Sequence, residues 1–340
     1  MQRLNRTILS VISGAVLLGV CACRGPDSRI DPPVRLQHLS LMFLPGQSLC
    51  YRYVSNRTIT IDWKPEASDD PNDGRSIQHL YESLDLVVTY HVQAVDVNGL
   101  ATVEGRFESI DPKRSRLTGA QVLSEDPVIL LKGRTFTFRI DPSGRIRDRG
   151  AFHDLLEQTA RFAFRDDPRR GRLKGPEMVW DVIALLWSPW EVLAGQDPNG
   201  VRPGDAWSTQ LAVPTPMVLR KARDASCTWQ TPALTDGQRV AVIASRYALS
   251  PDPLPAHWPI PYAGRFGVSG PFGFLRHYQV RCLDGHGTDR LDMTEGRLLG
   301  YEQHYTVTMD ASMPLALASP TIVIDQTLRM DPCPSHSGGQ

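Results

Sequence analysis

Three carboxylates and one imidazole lie within nine residues near the C-terminal end, at Asp284, His286, Asp289 and Asp292. Carboxylate and imidazole groups at this spacing can ligate a divalent cation weakly, or act as acid and base in a hydrolase. Two glycines lie in the same stretch, and that composition is more typical of a solvated hairpin loop. The pattern therefore predicts a Gly-rich turn before a strand, with the metal site and an unrecognised hydrolase as alternatives.

The familiar catalytic motifs do not occur in this sequence. It has no Gly-x-Ser-x-Gly elbow, His-Glu-x-x-His zinc helix, Gly-Lys-Ser/Thr phosphate loop or dinucleotide fingerprint. The acidic stretch 69–74 is similar to a calcium loop, but Pro71 occupies a ligand position and Leu80 replaces the closing glutamate. We therefore predict no enzymatic activity, no metal and no cofactor.

Charge and composition narrow the class of protein further. The 340 residues include 37 basic and 37 acidic side chains, whereas a nucleic-acid-binding surface needs a basic excess. The 27 glycines and 27 prolines are typical of many strands joined by turns. These totals favour a β-rich protein that does not bind nucleic acid.

The N-terminus has the pattern of a secretion signal. Arg3 and Arg6 precede an uncharged stretch over residues 7–20. That stretch is too short to span a bilayer comfortably, and its basic flank is typical of a signal peptide. We therefore predict an exported protein with a signal peptide over residues 1–22.

The residues that follow carry a lipidation pattern. Val20-Cys-Ala-Cys23 resembles the lipobox of bacterial lipoproteins, in which the cysteine after a small residue becomes lipid-modified. We predict a membrane anchor on Cys23 and a tether over residues 23–43, with an ordinary signal peptide cut nearby as the alternative. Since Arg24 and not aspartate follows the cysteine, the anchor is predicted in the outer membrane, facing the periplasm.

Four cysteines remain for disulfides once Cys21 and Cys23 are assigned to the signal and the lipid: Cys50, Cys227, Cys282 and Cys333. In an oxidising compartment they allow three connectivities. Because Cys227 and Cys282 both flank candidate strands of the second half, we expect them to bond each other and Cys50 to bond Cys333. Free buried thiols are the alternative.

Alternating apolar residues and tight turns recur in both halves of the chain. Residues 86–110 alternate as a hairpin around Asn98-Gly99, a preferred two-residue turn. The strand and turn over residues 136–148 return at 289–299, and Asp236-Gly237 mirrors Asn98-Gly99. Such recurrence predicts two duplicated β units, over residues 44–150 and 196–330.

Between these units the hydrophobic period changes to that of a helix. Residues 151–165 have helical spacing, and a second helix is predicted from Pro176 to about Ser188, because Pro189 should end it. This helical segment, 151–195, carries Trp180, Trp187 and Trp190. We expect the helix to pack across a sheet, with a ligand lid or membrane-contacting surface as the alternative.

A long loop over residues 250–274 is rich in proline and aromatic side chains. Loops of this length are often functional, so it is the candidate ligand or partner surface. A collar that packs its own aromatics against the sheet is the equal alternative. The tail 331–340 is predicted to be disordered apart from Cys333. The aromatic residues of the loop are Trp258, Tyr262, Phe266, Phe272 and Phe274.

Several of these short motifs also occur together in a family of bacterial envelope lipoproteins that has no known activity. They comprise Leu44-Pro-Gly-Gln, Val95-Asp-x-Asn-Gly99, Ile140-Asp-Pro-x-Gly-Arg145, Gly175-Pro-Glu177 and Arg202-Pro-Gly-Asp-x-Trp207. The chain resembles that family from Leu44 to Met309. The resemblance implies a duplicated β-rich build and transfers no catalytic residue. Three of the cysteines and the aromatic loop depart from the family pattern.

Together these features predict an α+β, β-dominated protein, in which duplicated antiparallel units form a curled sheet or incomplete barrel around two central helices. Such a shape would be similar to carriers of lipids or lipoproteins in the periplasm, by analogy of fold alone. The predicted function is a non-catalytic envelope lipoprotein that binds a hydrophobic small molecule or an envelope protein. A structural scaffold that docks protein or peptidoglycan is the alternative.

Overall fold

The computed structural model describes residues 36–63, 77–114, 126–162, 177–213, 222–230, 232–235, 237–252, 276–312 and 319–334. The chain divides into Met1–Arg35 and one compact unit, Leu36–Gln340, to which all of these residues belong. The predicted signal peptide, Cys23 and most of the loop 250–274 lie outside the described residues. No helix in the described part of the chain is long and apolar enough to cross a membrane.

The described strands form one open antiparallel sheet. Eleven of them follow the order β5-β4-β3-β2-β1-β12-β11-β10-β9-β7-β6, and β8 pairs with β9 beside this path. The predicted β-dominated class is therefore confirmed, and the two halves share one sheet because β1 pairs with β12. The strands are β1 (Ser48–Asp62), β2 (Ile77–Val95), β3 (Ala101–Arg114), β4 (Thr135–Ile140), β5 (Ile146–Asp148), β6 (Ala206–Ala212), β7 (Ala222–Trp229), β8 (Ala233–Thr235), β9 (Gln238–Leu249), β10 (Arg276–Asp292), β11 (Arg297–Ser312) and β12 (Thr321–Pro332).

Two helices carry the chain from one edge of this sheet to the other. Helix α1 (Gly150–Phe162) follows the edge strand β5, and helix α2 (Glu177–Glu191) leads into the opposite edge strand β6. All side chains of α2 that the structure describes are buried. The first half of the chain ends on one edge strand and the second half starts on the opposite edge strand, so the chain must cross the sheet between them, and α2 lies against its concave face.

The tryptophans of α2 lie in the core. The Trp187 ring centroid is 5.0 Å from that of Phe138 and 4.7 Å from that of Phe152. The Trp190 ring meets Tyr90 edge-on at 6.0 Å, so the helix packs against strands of the first half through aromatic contacts. The side chain of Trp180 lies outside the described residues.

Helix α2 does not end at Ser188, as the sequence predicted, but continues through Pro189 to Glu191. A proline has no N–H, so the carbonyl of Leu185, four residues earlier, loses its partner within the helix. The Tyr301 hydroxyl on β11 donates a hydrogen bond of 3.1 Å to this carbonyl. A residue far away in the chain therefore supplies the hydrogen-bond donor that Pro189 cannot provide.

The turn of the recurring strand-turn motif is stabilised in the same way in both halves. Asp141 accepts hydrogen bonds from the backbone of its own turn through Oδ1, and Asp292 does the same in the turn after β10. The glycines that close these turns, Gly144 and Gly296, have φ of 81° and 58°. The segment at Leu41 and Met42 lies between the two turns. The N–H of Leu41 donates to the Pro142 carbonyl of one turn, and the N–H of Met42 donates to the Gly296 carbonyl of the other.

The hairpin at Asn98-Gly99 is confirmed, with Gly99 at φ 80°. Its turn is longer than the predicted two residues, because Asp96 N–H donates to the Leu100 carbonyl and encloses three residues. The strands it joins, β2 and β3, also extend well beyond the predicted residues 86–110.

One of the two expected disulfides is present. Cys50 and Cys333 are bonded, and they link the ends of β1 and β12 where the two halves of the chain meet. The predicted bond between Cys227 and Cys282 is wrong, since both are free. Cys227 is buried on β7 while Cys282 is exposed on β10, and β9 lies between these strands.

Candidate binding site inside the sheet

A band of buried polar side chains crosses the otherwise apolar inner face of the sheet. In its centre, the Tyr305 hydroxyl donates a 2.6 Å hydrogen bond to Gln326 Oε1. Gln326 Nε2 in turn donates to Ser55 Oγ at 2.7 Å, which connects β11, β12 and β1. The band has one buried arginine on either side of this centre, Arg57 on β1 and Arg223 on β7.

The first arginine belongs to an ion-pair cluster of Arg57, Glu82, Arg114, Asp126 and Asp181. Arg57 Nε donates to Glu82 Oε2 at 2.6 Å, and its Nη1 lies 2.9 Å from Asp181 Oδ2 on helix α2. Arg114 lies 3.1 Å from Glu82 and 2.7 Å from Asp126. Each of the two guanidinium groups therefore lies between two carboxylates inside the protein.

Burial raises the pKa of Asp181 to about 6, and the neighbouring Arg57 opposes that rise. At neutral pH the carboxylate is therefore mainly ionised and pairs with Arg57. Since Asp181 lies on α2 and Arg57 on β1, this ion pair fixes the helix to the concave face of the sheet.

The second arginine belongs to what we call the Arg223 cluster, made of Arg223, Asp289, Gln303, Tyr247 and Ser188. Arg223 Nη2 donates to Gln303 Oε1 at 2.7 Å and lies 3.4 Å from Ser188 Oγ on α2. The Arg223 guanidinium carbon lies 4.4 Å from the centroid of the Tyr247 ring, within the range of a cation–π contact. The cluster therefore brings β7, β9, β10, β11 and α2 together.

Several polar atoms of the Arg223 cluster have no hydrogen-bond partner among the described residues. They include Arg223 Nε and Nη1, Gln303 Nε2 and both carboxylate oxygens of Asp289. Each of these three side chains is completely buried. Buried polar groups are nearly always paired, so a group of unpartnered atoms indicates that water, an ion or a ligand belongs there.

The protonation of Asp289 decides what kind of ligand suits this cluster. Burial raises the pKa of Asp289 to about 8, although Arg223 lowers it. At pH 7 the carboxyl group is therefore mainly protonated and can donate a hydrogen bond. Together with the charged Arg223 and the amide of Gln303, it makes the cluster positively charged and rich in donors.

Two glycines on β10 make room for these side chains. A Cβ atom on Gly287 would lie 2.1 Å from the Tyr247 hydroxyl oxygen and 3.1 Å from Gln303 Cγ. A Cβ atom on Gly285 would lie 2.5 Å from Tyr305 Cβ. The glycines are therefore needed for packing within a strand, and the predicted Gly-rich turn at this position is wrong.

The four residues that prompted the metal and hydrolase alternatives do not converge. Asp284 and His286 are exposed on one face of β10, and Asp289 is buried on the opposite face, because successive side chains of a strand alternate between its faces. Asp292 is buried at the end of the strand, after a register irregularity between Arg290 and Leu291. Across the described ranges, no three His, Cys, Asp or Glu side chains are placed to hold a metal ion. Asp292 caps the turn that follows β10.

The predicted ligand or partner surface is only partly described. Trp187 and Trp190 are buried in the core, while the aromatic residues of the loop 250–274 lie outside the described residues. That loop joins β9 to β10, the two strands that carry Tyr247 and Asp289 of the Arg223 cluster. Its role as a binding surface stays a prediction.

The Arg223 cluster was not predicted from the sequence, although the sequence carries a signal for it. Arg223 stands in the same alternating register as Ala225, Cys227 and Trp229, all of which are buried. Gln303 likewise interrupts an apolar face between Tyr301 and Tyr305. A polar residue in an apolar register indicates a buried polar group, but not which other groups it meets.

No protein-family model matches this chain, and no curated protein sequence matches it either. The resemblance to bacterial envelope lipoproteins therefore rests on the short motifs alone and stays a prediction.

Proposed function

We propose that this protein is a non-catalytic, lipid-anchored protein of the cell envelope that binds an amphipathic molecule inside its curled sheet. The observation that carries the proposal is the group of unpartnered, fully buried atoms of Arg223, Asp289 and Gln303. Leaving such atoms without partners costs about 1–3 kcal/mol each, so an occupant that pairs with them is strongly favoured.

The unpartnered groups favour a head group that accepts hydrogen bonds. Arg223 and Gln303 offer N–H donors, and protonated Asp289 offers an O–H donor. A carboxylate or phosphate matches this set, because a hydrogen bond between a guanidinium group and an anion is about twice as strong as a neutral one. The head group of the ligand would therefore be anionic.

The surroundings of the cluster suit an apolar chain attached to that head group. Trp229, Ile243 and Leu291 are buried on the inner faces of the three strands that surround it. A mostly apolar pocket with a few placed polar groups is typical of small-molecule sites. The aromatic loop joining β9 and β10 would add further apolar surface.

The chemistry of the cluster favours binding over catalysis. The nearby thiol of Cys227 has its pKa raised to about 12 by burial, so it is not a nucleophilic thiolate at neutral pH. Burial also raises the pKa of Tyr247, Tyr301 and Tyr305, which keeps these hydroxyls protonated.

The envelope location is supported by the Cys50–Cys333 disulfide, since such bonds persist in oxidising compartments. Anchoring rests on the lipobox-like sequence before Cys23. Metabolic labelling with a fatty acid tests this part, and we expect the label in the natural chain but not in a Cys23→Ala variant. A variant that still carries the label would contradict anchoring at Cys23.

Ligand binding is tested by mass spectrometry of organic extracts from the full chain purified from envelopes. We expect an anionic amphiphile at about one equivalent in the natural protein and its loss in Arg223→Met. Arg246→Met is the matched control, because Arg246 lies on the neighbouring strand β9 but is exposed. An extract of the natural protein without an anionic amphiphile, or equal ligand in Arg223→Met, would overturn the proposal.

A further inference from the structure

A cleft lies on the outer face of the sheet, across β12, β1, β2 and β3. Its volume is about 480 Å³, within the usual range for small-molecule sites. The floor reaches Arg57, Glu82 and Arg114 of the ion-pair cluster. The residues that line its outer part include Asn56, Thr58, Tyr81, Ser83, Asp325 and Thr327.

Strand register arranges the lining residues in two parallel rows. In one row Thr58 stands between Asp325 and Tyr81, its partners on β12 and β2. In the other row Asn56 stands between Thr327 and Ser83. Members of one row are cross-strand neighbours, and the rows are one side-chain repeat apart along the strands, so the hydroxyl, amide and carboxylate groups form a compact grid.

The basic side chains around the cleft are paired with carboxylates. Glu82 pairs with both Arg57 and Arg114, and Lys113 at the rim lies 2.9 Å from Asp111. Asp325 lies 3.1 Å from His304 Nε2. Because both arginines and Lys113 are paired with carboxylates, the described lining of the cleft offers no unpaired cation to an anionic ligand, and it is too polar for an acyl chain.

One aromatic ring completes the site. Tyr81 lines the cleft and is 58% exposed. It is the cross-strand partner of Thr58. An exposed aromatic ring offers a flat apolar face, and sugar rings place their C–H groups against such faces. The neighbouring hydroxyl and amide groups can both donate and accept hydrogen bonds, as the hydroxyls of a sugar do.

We propose that this outer cleft binds a neutral saccharide, with one ring stacked on Tyr81 and its hydroxyls bonded to Asn56, Thr58 and Asp325. In an envelope protein such a ligand would be a cell-wall glycan. The identity of this glycan rests on the envelope location proposed above, but the cleft is separate from the Arg223 cluster, because its lining residues lie on β1, β2, β3 and β12.

The test is binding of a soluble oligosaccharide of N-acetylglucosamine to the full chain, measured by saturation-transfer NMR and titration. We expect the natural protein to bind with a dissociation constant of about 1 mM, and Tyr81→Ala to weaken binding at least about tenfold. Tyr81→Phe should retain binding because it keeps the ring. Thr308→Ala, on the outer face of β11 but outside the cleft, should bind like the natural protein.

Two further results separate this inference from the proposed function. Arg223→Met should keep saccharide binding, since Arg223 lies inside the sheet. Thermal unfolding of Tyr81→Ala should remain one cooperative transition well above the temperature of the titration, so that a loss of binding reports on the cleft. No binding by the natural protein, equal binding by Tyr81→Ala, or recognition of a cell-wall peptide in place of the glycan would overturn the inference.

Discussion

Arg57 and Arg223 both project from strands toward helix α2, where they meet Asp181 and Ser188. These helix residues are seven positions apart and so lie on the same face of α2. Arg57 has two carboxylates within 3 Å, whereas Arg223 has a glutamine, a serine and a carboxyl group, Asp289, that it does not reach. The two regions therefore begin with the same residue type and differ in whether its charge is compensated.

This difference separates a structural role from a binding role. Removing one partner of a buried ion pair strongly destabilises a protein, because the remaining charge is left in a medium of low dielectric constant. A buried arginine whose N–H groups are unpartnered gains stability when an anion arrives. We therefore expect the ion-pair cluster to hold α2 and the Arg223 cluster to hold a ligand.

The largest expected change in stability comes from replacing Arg57, and replacing Arg223 provides the comparison. Arg57→Met leaves Glu82 and Asp181 buried without their main partner and should lower the free energy of unfolding by about 3–5 kcal/mol. Arg223→Met removes a cation beside a mainly neutral Asp289 and should cost about 1 kcal/mol in the ligand-free protein. Urea unfolding of both variants measures this, and equal losses would contradict the assignment of different roles.

The disulfide tests the strand pair that joins the two regions. Replacing Cys50 and Cys333 by serine should lower the free energy of unfolding by about 2–4 kcal/mol, because the bond closes a very long loop of the unfolded chain. Cys282→Ser is the matched control, since Cys282 is free and exposed, and it should be neutral. A double variant as stable as the control would show that β1 and β12 do not need the bond.

The pH dependence of stability distinguishes the two acids. Because the pKa of Asp289 is about 8 in the folded protein and near 4 when unfolded, the native state binds the proton more tightly. Stability should therefore fall as pH rises from 6 to 8, by up to about 1.4 kcal/mol per pH unit. The pKa of Asp181 is about 6, so Asp181 acts mainly below this window. Asp289→Asn should flatten the curve of melting temperature against pH between pH 6 and 8. An unchanged slope would show that Asp289 is not protonated in the folded protein.

The smallest effect concerns the helix that both clusters contact. Tyr301→Phe removes the donor to the Leu185 carbonyl and should cost about 1 kcal/mol. In a Pro189→Ala background the restored N–H can reach that carbonyl, so the same substitution should cost less. A double-mutant cycle by urea unfolding measures the coupling. Additive effects would show that the hydroxyl does not replace the missing backbone bond.

Local patterns predicted much of the fold. Alternation over residues 86–110 predicted the hairpin, and Pro176, as a first-turn proline, placed the start of α2 within one residue. The end of α2 could not be predicted, because the Tyr301 hydroxyl that permits Pro189 comes from another part of the chain. The cysteine spacing was likewise insufficient, since the pairing depends on which strands are neighbours and on which faces the thiols lie.

The sequence by itself determined the β-rich class, the turns at Gly99, Gly144 and Gly296, and the apolar character of α2, because these depend on backbone sterics and hydrophobic period within short stretches. Only the tertiary structure decided which buried polar groups meet. Arg223 and Gln303 are 80 residues apart, and they touch because intervening strands place them on one concave face. Charge compensation depends on such contacts, so the distinction between the ion-pair cluster and the Arg223 cluster arises only on folding.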